Sequence, residues 1–232
     1  MKQTGTRQSR KHYLKLLLVA AAIVVLVSSS AFAAGILRQG KASNDGAKRI
    51  ALTFDDGPYP EITPAILKAL EEADVKATFF VVGWRVYEYH DIFTTMNEKG
   101  HEVGNHSYDH PHLTSLTAEE IASQLKKTNY AVQKYSGKKP VYLRPPYGSY
   151  NDLVLEIAAE NDMKVVLWSL NPEDWASPGV DVIISRVLEQ ASDGSVVLLH
   201  DTWQTAQMLP ELITTLKERG YVFVTLSELF AD

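Results

Sequence analysis

Cysteine is absent from this sequence, and its absence excludes disulfide bonds and thiolate metal sites. A bound metal would therefore have to be held by histidine, aspartate or glutamate, which suit hard to borderline ions. An excess of basic residues is missing as well, since 23 Lys and Arg face 28 Asp and Glu, giving a net charge of −5. That charge gives no electrostatic support to nucleic-acid binding. Hydrophobic residues make up 45% of the 232, which predicts one substantial core in one folded domain.

The first 37 residues have the pattern of an export signal. Basic residues without any acidic ones come first, an apolar run follows at 16–27, and small residues follow at 28–34. This order is typical of a signal peptide, with cleavage expected after Ala33. The alternative is an uncleaved membrane anchor, because the uncharged run from 16 to 37 is long enough to span a bilayer. Both alternatives predict a protein outside the cytoplasm, either secreted or held on the outer face of the cytoplasmic membrane.

A linker is predicted at 38–48, rich in Gly, Ser, Asn and Lys, and it leads to a domain at 49–232. In that domain, short apolar runs alternate with helical patterns. Strands are predicted at 50–54, 77–82, 102–105, 141–144, 165–169, 196–199 and 221–225, and helices at 61–72, 86–99, 117–135, 151–160, 181–190 and 209–219. The alternation predicts a parallel sheet covered by helices, either an incomplete (β/α) barrel or a doubly wound sheet. In both folds a ligand binds beyond the carboxyl ends of the strands.

Two adjacent carboxylates, Asp55 and Asp56, follow the first predicted strand. Carboxylates that emerge from a buried strand are costly unless a positive group meets them. The same residues, followed by Gly and Pro, are also typical of an ordinary turn. The pair is therefore a candidate site if the other strand ends supply a positive group, and an ordinary turn if they do not.

The third predicted strand is followed by two histidines four residues apart, His106 and His110. One helical turn would place both imidazoles on the same side. Two imidazoles and one carboxylate suit Zn²⁺ or a similar divalent ion, with positions left open for water. A histidine-rich surface loop is the alternative. His101 and His112 do not share this spacing and are weaker candidates.

Polar residues also follow the fourth and sixth predicted strands. Arg144 is followed by two prolines, which stiffen the loop, and its guanidinium could balance a carboxylate that is not bound to metal. His200 ends the sixth strand. A lone histidine after a strand is more often structural, but this one lies at the same end of the sheet as the other clusters.

Five motifs in order (TFDDGP, HSYDH, RPPYG, the DW of NPEDW, and LLH) resemble the polysaccharide deacetylase family with the NodB-homology domain, over about residues 48–230. The resemblance implies a single distorted, incomplete (β/α) barrel. It also implies a metal-dependent hydrolase that removes N-acetyl groups from an envelope amino-sugar polymer, with peptidoglycan N-acetylglucosamine expected first. Chito-oligosaccharide or exopolysaccharide is the alternative substrate; an acetylxylan esterase or an inactive sugar-binding homologue is a weaker one. A monomer is expected.

The resemblance also implies roles for individual residues. One divalent ion, Zn first and Co or Mn next, would be held by Asp56, His106 and His110. Asp55 would be the general base, paired with Arg144, and His200 would protonate the departing amine. The oxyanion would be met by the metal and by the backbone amide of Tyr147. A pocket for the acetyl methyl group would be walled by Tyr147, Trp175, Leu198 and Trp203.

One position departs from the resemblance. It implies an aspartate, which would orient and charge the catalytic histidine, where this chain has Asn171. An asparagine accepts a hydrogen bond but cannot stabilise an imidazolium by charge. Asp174 lies three residues further on and could substitute in part. The departure therefore bears on the tuning of His200 and leaves the expected metal site unchanged.

Overall fold

The structure is a computed structural model that describes residues 35–42 and 46–231. The strands are β1 Lys48–Asp55, β2 Thr78–Val81, β3 Glu102–Asn105, β4 Tyr142–Leu143, β5 Lys164–Val165, β6 Ser195–His200 and β7 Tyr221–Phe223. The helices are α1 Ile62–Glu72, α2 Gly83–Glu88, α3 His90–Glu98, α4 Ala118–Ser136, α5 Asp152–Glu160, α6 Val180–Gln190, α7 Trp203–Glu218 and α8 Leu226–Leu229. The predicted signal peptide or anchor lies outside the described residues except at its last three positions.

The strands form one parallel sheet in the order β5-β4-β3-β2-β1-β6, and β7 pairs with the first residues of β1. The order runs in one direction and does not reverse, as it would in a doubly wound sheet. The sheet curls into a half-barrel with helices outside, which confirms the incomplete barrel implied by the resemblance and excludes the doubly wound alternative. The central strand is the most deeply buried: residues 50–55 of β1 lie almost wholly out of solvent.

The segment at 36–40 lies between the two ends of this curled sheet. Leu37 forms a parallel bridge with Val166, beside β5, and Gln39 forms an antiparallel bridge with Ser195 of β6. The backbone N–H of Gly40 donates to the carbonyl of Gly194 at 2.8 Å. The first part of the predicted linker is therefore paired with the sheet instead of leading freely to it.

Two helices differ from the sequence prediction. The helix predicted at 86–99 is two helices, because the backbone of Tyr89 leaves the helical region between α2 and α3. The helix predicted from 209 begins six residues earlier, at Trp203. Thr202 caps its first turn by accepting the N–H of Thr205, and Pro210 is accommodated inside it.

The helix predicted at 117–135 begins with a capping box. Thr117 accepts the N–H of Glu120 while the Glu120 side chain accepts the N–H of Thr117, at the start of α4. That helix ends at Gly137, whose φ of 73° lies in the left-handed region that glycine adopts without strain. Within residues 35–42 and 46–231, no helix has both the length and the hydrophobicity needed to cross a membrane.

Candidate metal centre and active site

The carboxyl ends of the strands surround one cavity of about 470 Å³. Because parallel strands end at the same edge of a sheet, residues far apart in sequence meet there. The residues that line the cavity are Asp55, Asp56, His106, His110, Tyr147, Gly148, Trp168, Asn171, Trp175, Leu198 and His200. Most of the predicted site residues are therefore brought together, with the exceptions described below.

Asp56, His106 and His110 form a compact group of possible metal ligands. One ligand atom from each lies within 4.8 Å of the others. The Nε2 atoms of His106 and His110 lie 3.5 Å and 3.1 Å from Oδ1 of Asp56. Burial alone would raise the pKa of Asp56, but the two imidazoles hold it well below its usual range, so this carboxylate is ionised. One carboxylate oxygen and two imidazole nitrogens are a donor set that fits a divalent ion such as Zn²⁺.

Both histidines are oriented through their other ring nitrogen. Nδ1 of His106 donates to the carbonyl oxygen of Arg144 at 2.7 Å. Nδ1 of His110 lies 3.2 Å from the hydroxyl of Tyr147. These contacts leave Nε2 of each ring directed at Asp56, which is the usual way in which metal-binding histidines are held.

The two histidines lie on a loop, and the predicted helical turn between them is wrong. Ser107 and His110 have φ values of 64° and 63°, in the left-handed region. The N–H of His110 donates to the hydroxyl of Ser107 at 3.1 Å, and the N–H of Ser107 donates to Oδ1 of Asn105 at 2.7 Å. Local side-chain bonds of this kind compete with helix formation. The rings still come together, with centroids 4.9 Å apart.

Helix α4 holds this loop through residues that the sequence analysis missed. Asn105 is fully buried and its Nδ2 donates to the carbonyl of Leu125 and to Oδ1 of Asn129. Oε1 of Gln124 accepts the N–H groups of Tyr108 and Asp109, at 2.8 and 3.1 Å. Of these supporting residues, only Asn105 had a signal in the sequence, because it immediately precedes His106.

Asp55 is buried beside the metal ligands and is paired with an arginine. Nη1 of Arg144 donates to Oδ1 of Asp55 at 2.8 Å and to the hydroxyl of Thr53 at 2.7 Å. The other guanidinium nitrogens donate to the carbonyls of Val166 and Leu167. Arg144 is fully buried, so this pairing supplies the positive group that a carboxylate at this depth requires. The second oxygen, Oδ2, lies 3.7 Å from Nε2 of His106.

The turn after β1 packs closely on Asp201, a residue that the sequence analysis did not single out. A Cβ at Gly57 would lie 2.6 Å from a carboxylate oxygen of Asp201, so only glycine fits at this point of the turn. The same oxygen accepts a hydrogen bond from the hydroxyl of Thr63. The backbone N–H of Asp201 donates to the carbonyl of Asp55 at 3.2 Å. Asp201 thus fixes the turn that carries Asp55 and Asp56.

His200 faces the cavity with its ring held by Asp174. Nδ1 donates to Oδ1 of Asp174 at 2.8 Å. Burial alone would lower the pKa of His200, but the hydrogen bond and charge of Asp174 outweigh it and raise the pKa to about 8. The expectation that the position of Asn171 tunes this histidine is therefore wrong. Oδ1 of Asn171 accepts the N–H of Glu173 at 2.9 Å instead.

Three of the four residues predicted for the pocket wall, Tyr147, Trp175 and Leu198, line the cavity. Tyr147 and Trp175 are each 61% exposed, so their rings are available to a ligand. Trp203 lies at the first position of α7, is 50% exposed, and does not line the cavity. The predicted role of Trp203 in the pocket wall is therefore not supported.

The two weaker histidine candidates, His101 and His112, do not line the cavity. His101 is buried, and its Nδ1 accepts the N–H of Ala77 at 3.2 Å, which makes it a structural residue. His112 stacks on the ring of Tyr147, with centroids 4.0 Å apart. Trp168 lines the cavity although it was given no role, and Gly148 packs directly against it.

Comparison with known proteins gives a consistent result. A family model described as polysaccharide deacetylase matches residues 42–166. The peptidoglycan-N-acetylglucosamine deacetylase of Listeria monocytogenes is 42% identical over 186 residues, which are 80% of this chain and 39% of that protein. The peptidoglycan-N-acetylmuramic acid deacetylase of Bacillus subtilis is 44% identical over 183 residues, which are 78% of this chain and 38% of that protein. The chain spans less than half the length of these two relatives.

Solved structures share the same fold. The crystal structure of a peptidoglycan N-acetylglucosamine deacetylase has a TM-score of 0.80 at 36% identity, over 84% of this chain and 92% of that one. A CE4 family pseudoenzyme from Bacillus anthracis has a TM-score of 0.80 at 36% identity, over 85% of this chain and 69% of that one. An enzyme and a pseudoenzyme resemble this chain equally well, so the residues of the site carry the argument about activity.

Proposed function

We propose, because the chain belongs to the polysaccharide deacetylase family, that it is a metal-dependent hydrolase that removes N-acetyl groups from peptidoglycan N-acetylglucosamine. One observation carries this proposal: a complete set of catalytic groups faces one cavity. The set comprises a ligand triad for a divalent ion, a buried carboxylate paired with arginine, and a histidine paired with aspartate. A domain that only bound sugars would have no use for this set.

Asp56, His106 and His110 would hold the ion, for which we propose Zn²⁺. When bound, such an ion polarises the acetyl carbonyl and lowers the pKa of a water molecule from about 15.7 toward about 7. The protein contributes the orientation of the ligands, since Arg144 and Tyr147 fix the two rings from behind.

Asp55 acts as the general base in this proposal. Its Oδ1 is occupied by Arg144, so Oδ2 is the oxygen that accepts the proton of the attacking water. The water oxygen adds to the acetyl carbon, and the backbone N–H of Tyr147 donates to the resulting oxyanion. A preorganised donor of this kind is typically worth about 3–4 kcal/mol.

His200 acts as the general acid. Asp174 occupies Nδ1, so Nε2 carries the proton that passes to the sugar nitrogen as the carbon–nitrogen bond breaks. Acetate and the free amino sugar are the products. A pKa of about 8 keeps the ring protonated at neutral pH, as an acid requires. Trp175 and Leu198 line the same cavity and provide the apolar wall for the acetyl methyl group.

The proposal is tested by incubating the Zn²⁺-loaded protein with peptidoglycan, chito-oligosaccharides and acetylxylan, and measuring acetate release and mass loss per sugar. Release from peptidoglycan at N-acetylglucosamine supports the proposal, and a His200→Ala variant should release at least about 100-fold less. If acetate is released preferentially from chito-oligosaccharide or acetylxylan, that glycan is the substrate in place of peptidoglycan. The absence of acetate from all three would place the chain with the inactive homologues.

We also propose that the protein acts outside the cytoplasm, on the basis of the pattern in its first 37 residues. Cleavage after Ala33 would leave intact the segment that pairs Leu37 with Val166. Mass spectrometry of the N-terminus in native membranes and culture medium separates a protein that begins at Ala34 from one that keeps residues 1–33. A full-length, active pool in the cytosol would contradict both alternatives.

A further inference from the structure

A second cleft, of about 520 Å³, lies between α2, α4 and the loop that carries two of the metal ligands. Its lining residues are Tyr87, Tyr108, Lys126, Lys127 and Tyr130. None of them lines the catalytic cavity. The cleft is therefore a separate surface, and it is built from aromatic rings and ammonium groups without any carboxylate.

Helix α4 supplies a row of positive charge to this surface. Lys126, Tyr130 and Lys134 recur every four residues, so they lie on one side of the helix, about 6 Å apart along its axis. All three are exposed. The stretch from 121 to 136 contains three lysines and no Asp or Glu, although the whole chain has a net charge of −5. The positive charge is thus concentrated along one helix, in a row that suits an extended ligand.

The lysines of this row lie over aromatic rings instead of pairing with carboxylates. Among the residues that the structure describes, no ion pair includes Lys126, Lys127 or Lys134. Nζ of Lys127 lies 5.3 Å from the ring centroid of Tyr108, and Nζ of Lys134 lies 5.3 Å from that of Tyr87. A ring face attracts a cation without neutralising its charge. The ammonium groups are therefore positioned and can still pair with an anion.

The acidic side chains next to the cleft in sequence do not enter it. Asp109 follows Tyr108, but its Oδ1 accepts a hydrogen bond from Nε2 of Gln124 at 2.6 Å and it does not line the cleft. Glu88 follows Tyr87 at the end of α2, and it does not line the cleft either. An anion in the cleft would therefore meet lysines without a carboxylate in its wall.

The exposed ring of Tyr130 adds a preference that charge alone would not give. This side chain is 64% exposed and offers a flat apolar face beside the lysines, of the kind on which the ring of a sugar can pack. A membrane surface would instead favour a helix face rich in Leu, Phe or Trp. The exposed side chains of α4 include no such residue; they are Glu119, Glu120, Lys126, Lys127, Tyr130, Gln133 and Lys134.

We infer that this cleft is a second binding site, which takes a linear polysaccharide with an anionic group on its sugar units. The anionic groups pair with the lysines of α4, and a sugar ring packs on Tyr130. The site holds the protein on such a polymer and takes no part in the reaction. The inference is independent of the proposed function, because the cleft and the catalytic cavity share no residue.

The test is calorimetric titration of the protein with three polymers. Polygalacturonate carries a carboxylate on every sugar, dextran has neutral sugars, and polyglutamate has carboxylates without sugar rings. Polygalacturonate should bind, and added salt should weaken its binding. Dextran should not bind, and polyglutamate should bind at least about threefold more weakly, because it lacks the rings that pack on tyrosine. Binding to vesicles of anionic phospholipid without binding to polygalacturonate would overturn the inference in favour of a membrane site.

Variants then locate the binding on α4. Lys126→Gln combined with Lys127→Gln should weaken polygalacturonate binding at least about tenfold, because a charge-assisted hydrogen bond is lost at each position. Lys68→Gln combined with Lys164→Gln is the matched control, since it removes the same charge at exposed positions on α1 and β5. Equal losses in the two double variants would show that binding follows the overall charge, and that outcome would overturn the site.

Tyr130 separates a sugar site from a surface that only attracts charge. Tyr130→Ala should weaken polygalacturonate binding about two- to tenfold and leave polyglutamate binding unchanged, whereas Tyr130→Phe keeps the ring and should bind both polymers like the wild type. Unfolding in urea checks that each variant is folded. If Tyr130→Ala binds polygalacturonate as tightly as the wild type, or if wild-type protein binds polyglutamate equally well, the cleft does not recognise a polysaccharide.

Discussion

Asp174 holds His200 at two points: Oδ1 accepts the ring Nδ1–H at 2.8 Å, and Oδ2 accepts the backbone N–H of the same residue at 2.7 Å. The hydroxyl of Thr205 donates to Oδ2 as well. A carboxylate with three donors is fully satisfied although it is buried. The ring therefore has one orientation, and its free nitrogen faces the cavity.

The first prediction follows from this pair. Asp174→Asn removes the charge that raises the pKa of His200 to about 8, so the pKa falls. Because the protonated ring is the active form, the alkaline limb of the kcat/KM profile should move to lower pH. Each pH unit of movement corresponds to about 1.4 kcal/mol of lost charge stabilisation of the imidazolium. Asn171→Asp should leave the limb where it is, since Asp174 already holds the ring. The same profile in a His200→Ala background shows which part of the limb depends on His200. If the limb does not move in Asp174→Asn, His200 is excluded as the acid.

The second prediction concerns the metal. Ala substitutions at Asp56, His106 and His110 should each reduce Zn²⁺ affinity by a factor of at least about 10, because each removes one of three ligands. His90→Ala is the matched control, as this exposed histidine lies outside the triad. Calorimetry gives the affinities, and a chelator should abolish activity that Zn²⁺, Co²⁺ or Mn²⁺ then restores. One equivalent of tightly bound metal in any ligand variant would show that its residue is not a ligand.

The third prediction separates a base from a fourth ligand. Asp55→Asn should keep its metal stoichiometry but lose roughly 10²–10⁴ in turnover, because the amide cannot take a proton. The variant should also lose about 3 kcal/mol of unfolding free energy in urea, since Arg144 stays charged and buried without a counter-charge. Loss of metal together with activity would instead make Asp55 a ligand.

Much of the fold could be predicted from the sequence because its signals are local. Apolar runs gave the strands, and a capping box gave the start of α4. The start of α7 was predicted six residues late, since Thr202 caps the helix and Pro210 lies inside it. Contacts between distant segments, such as Leu37 with Val166, have no local signal at all.

The site was predictable as a set of residues but not as a set of contacts. Asp56, His106 and His110 follow different strands, and the parallel sheet brings their ends together. The side chain that meets His200 is decided by the loop geometry after β5. The spacing in the sequence alone could not decide between position 171 and position 174. The side chains of α4 that support the ligand loop were missed for the same reason.

The last prediction concerns the side chain of Tyr147, whose hydroxyl lies 3.2 Å from Nδ1 of His110. Tyr147→Phe keeps the ring and the backbone N–H but removes this contact. Because groups behind a metal ligand typically contribute 10–100-fold in affinity, Zn²⁺ binding should weaken about tenfold while kcat at saturating Zn²⁺ stays near wild type.

His112→Ala is the control for ring packing, because His112 stacks on the ring of Tyr147. Its removal leaves the contact between the Tyr147 hydroxyl and His110 in place. It should lower Zn²⁺ affinity less than Tyr147→Phe does, since the hydroxyl remains to orient His110. Competition with a chromophoric chelator measures the affinities, and kcat at saturating Zn²⁺ reports the backbone N–H separately. If Tyr147→Phe binds Zn²⁺ as tightly as the wild type, the hydroxyl does not orient His110. A lower kcat at full metal loading would instead assign the hydroxyl to the reaction.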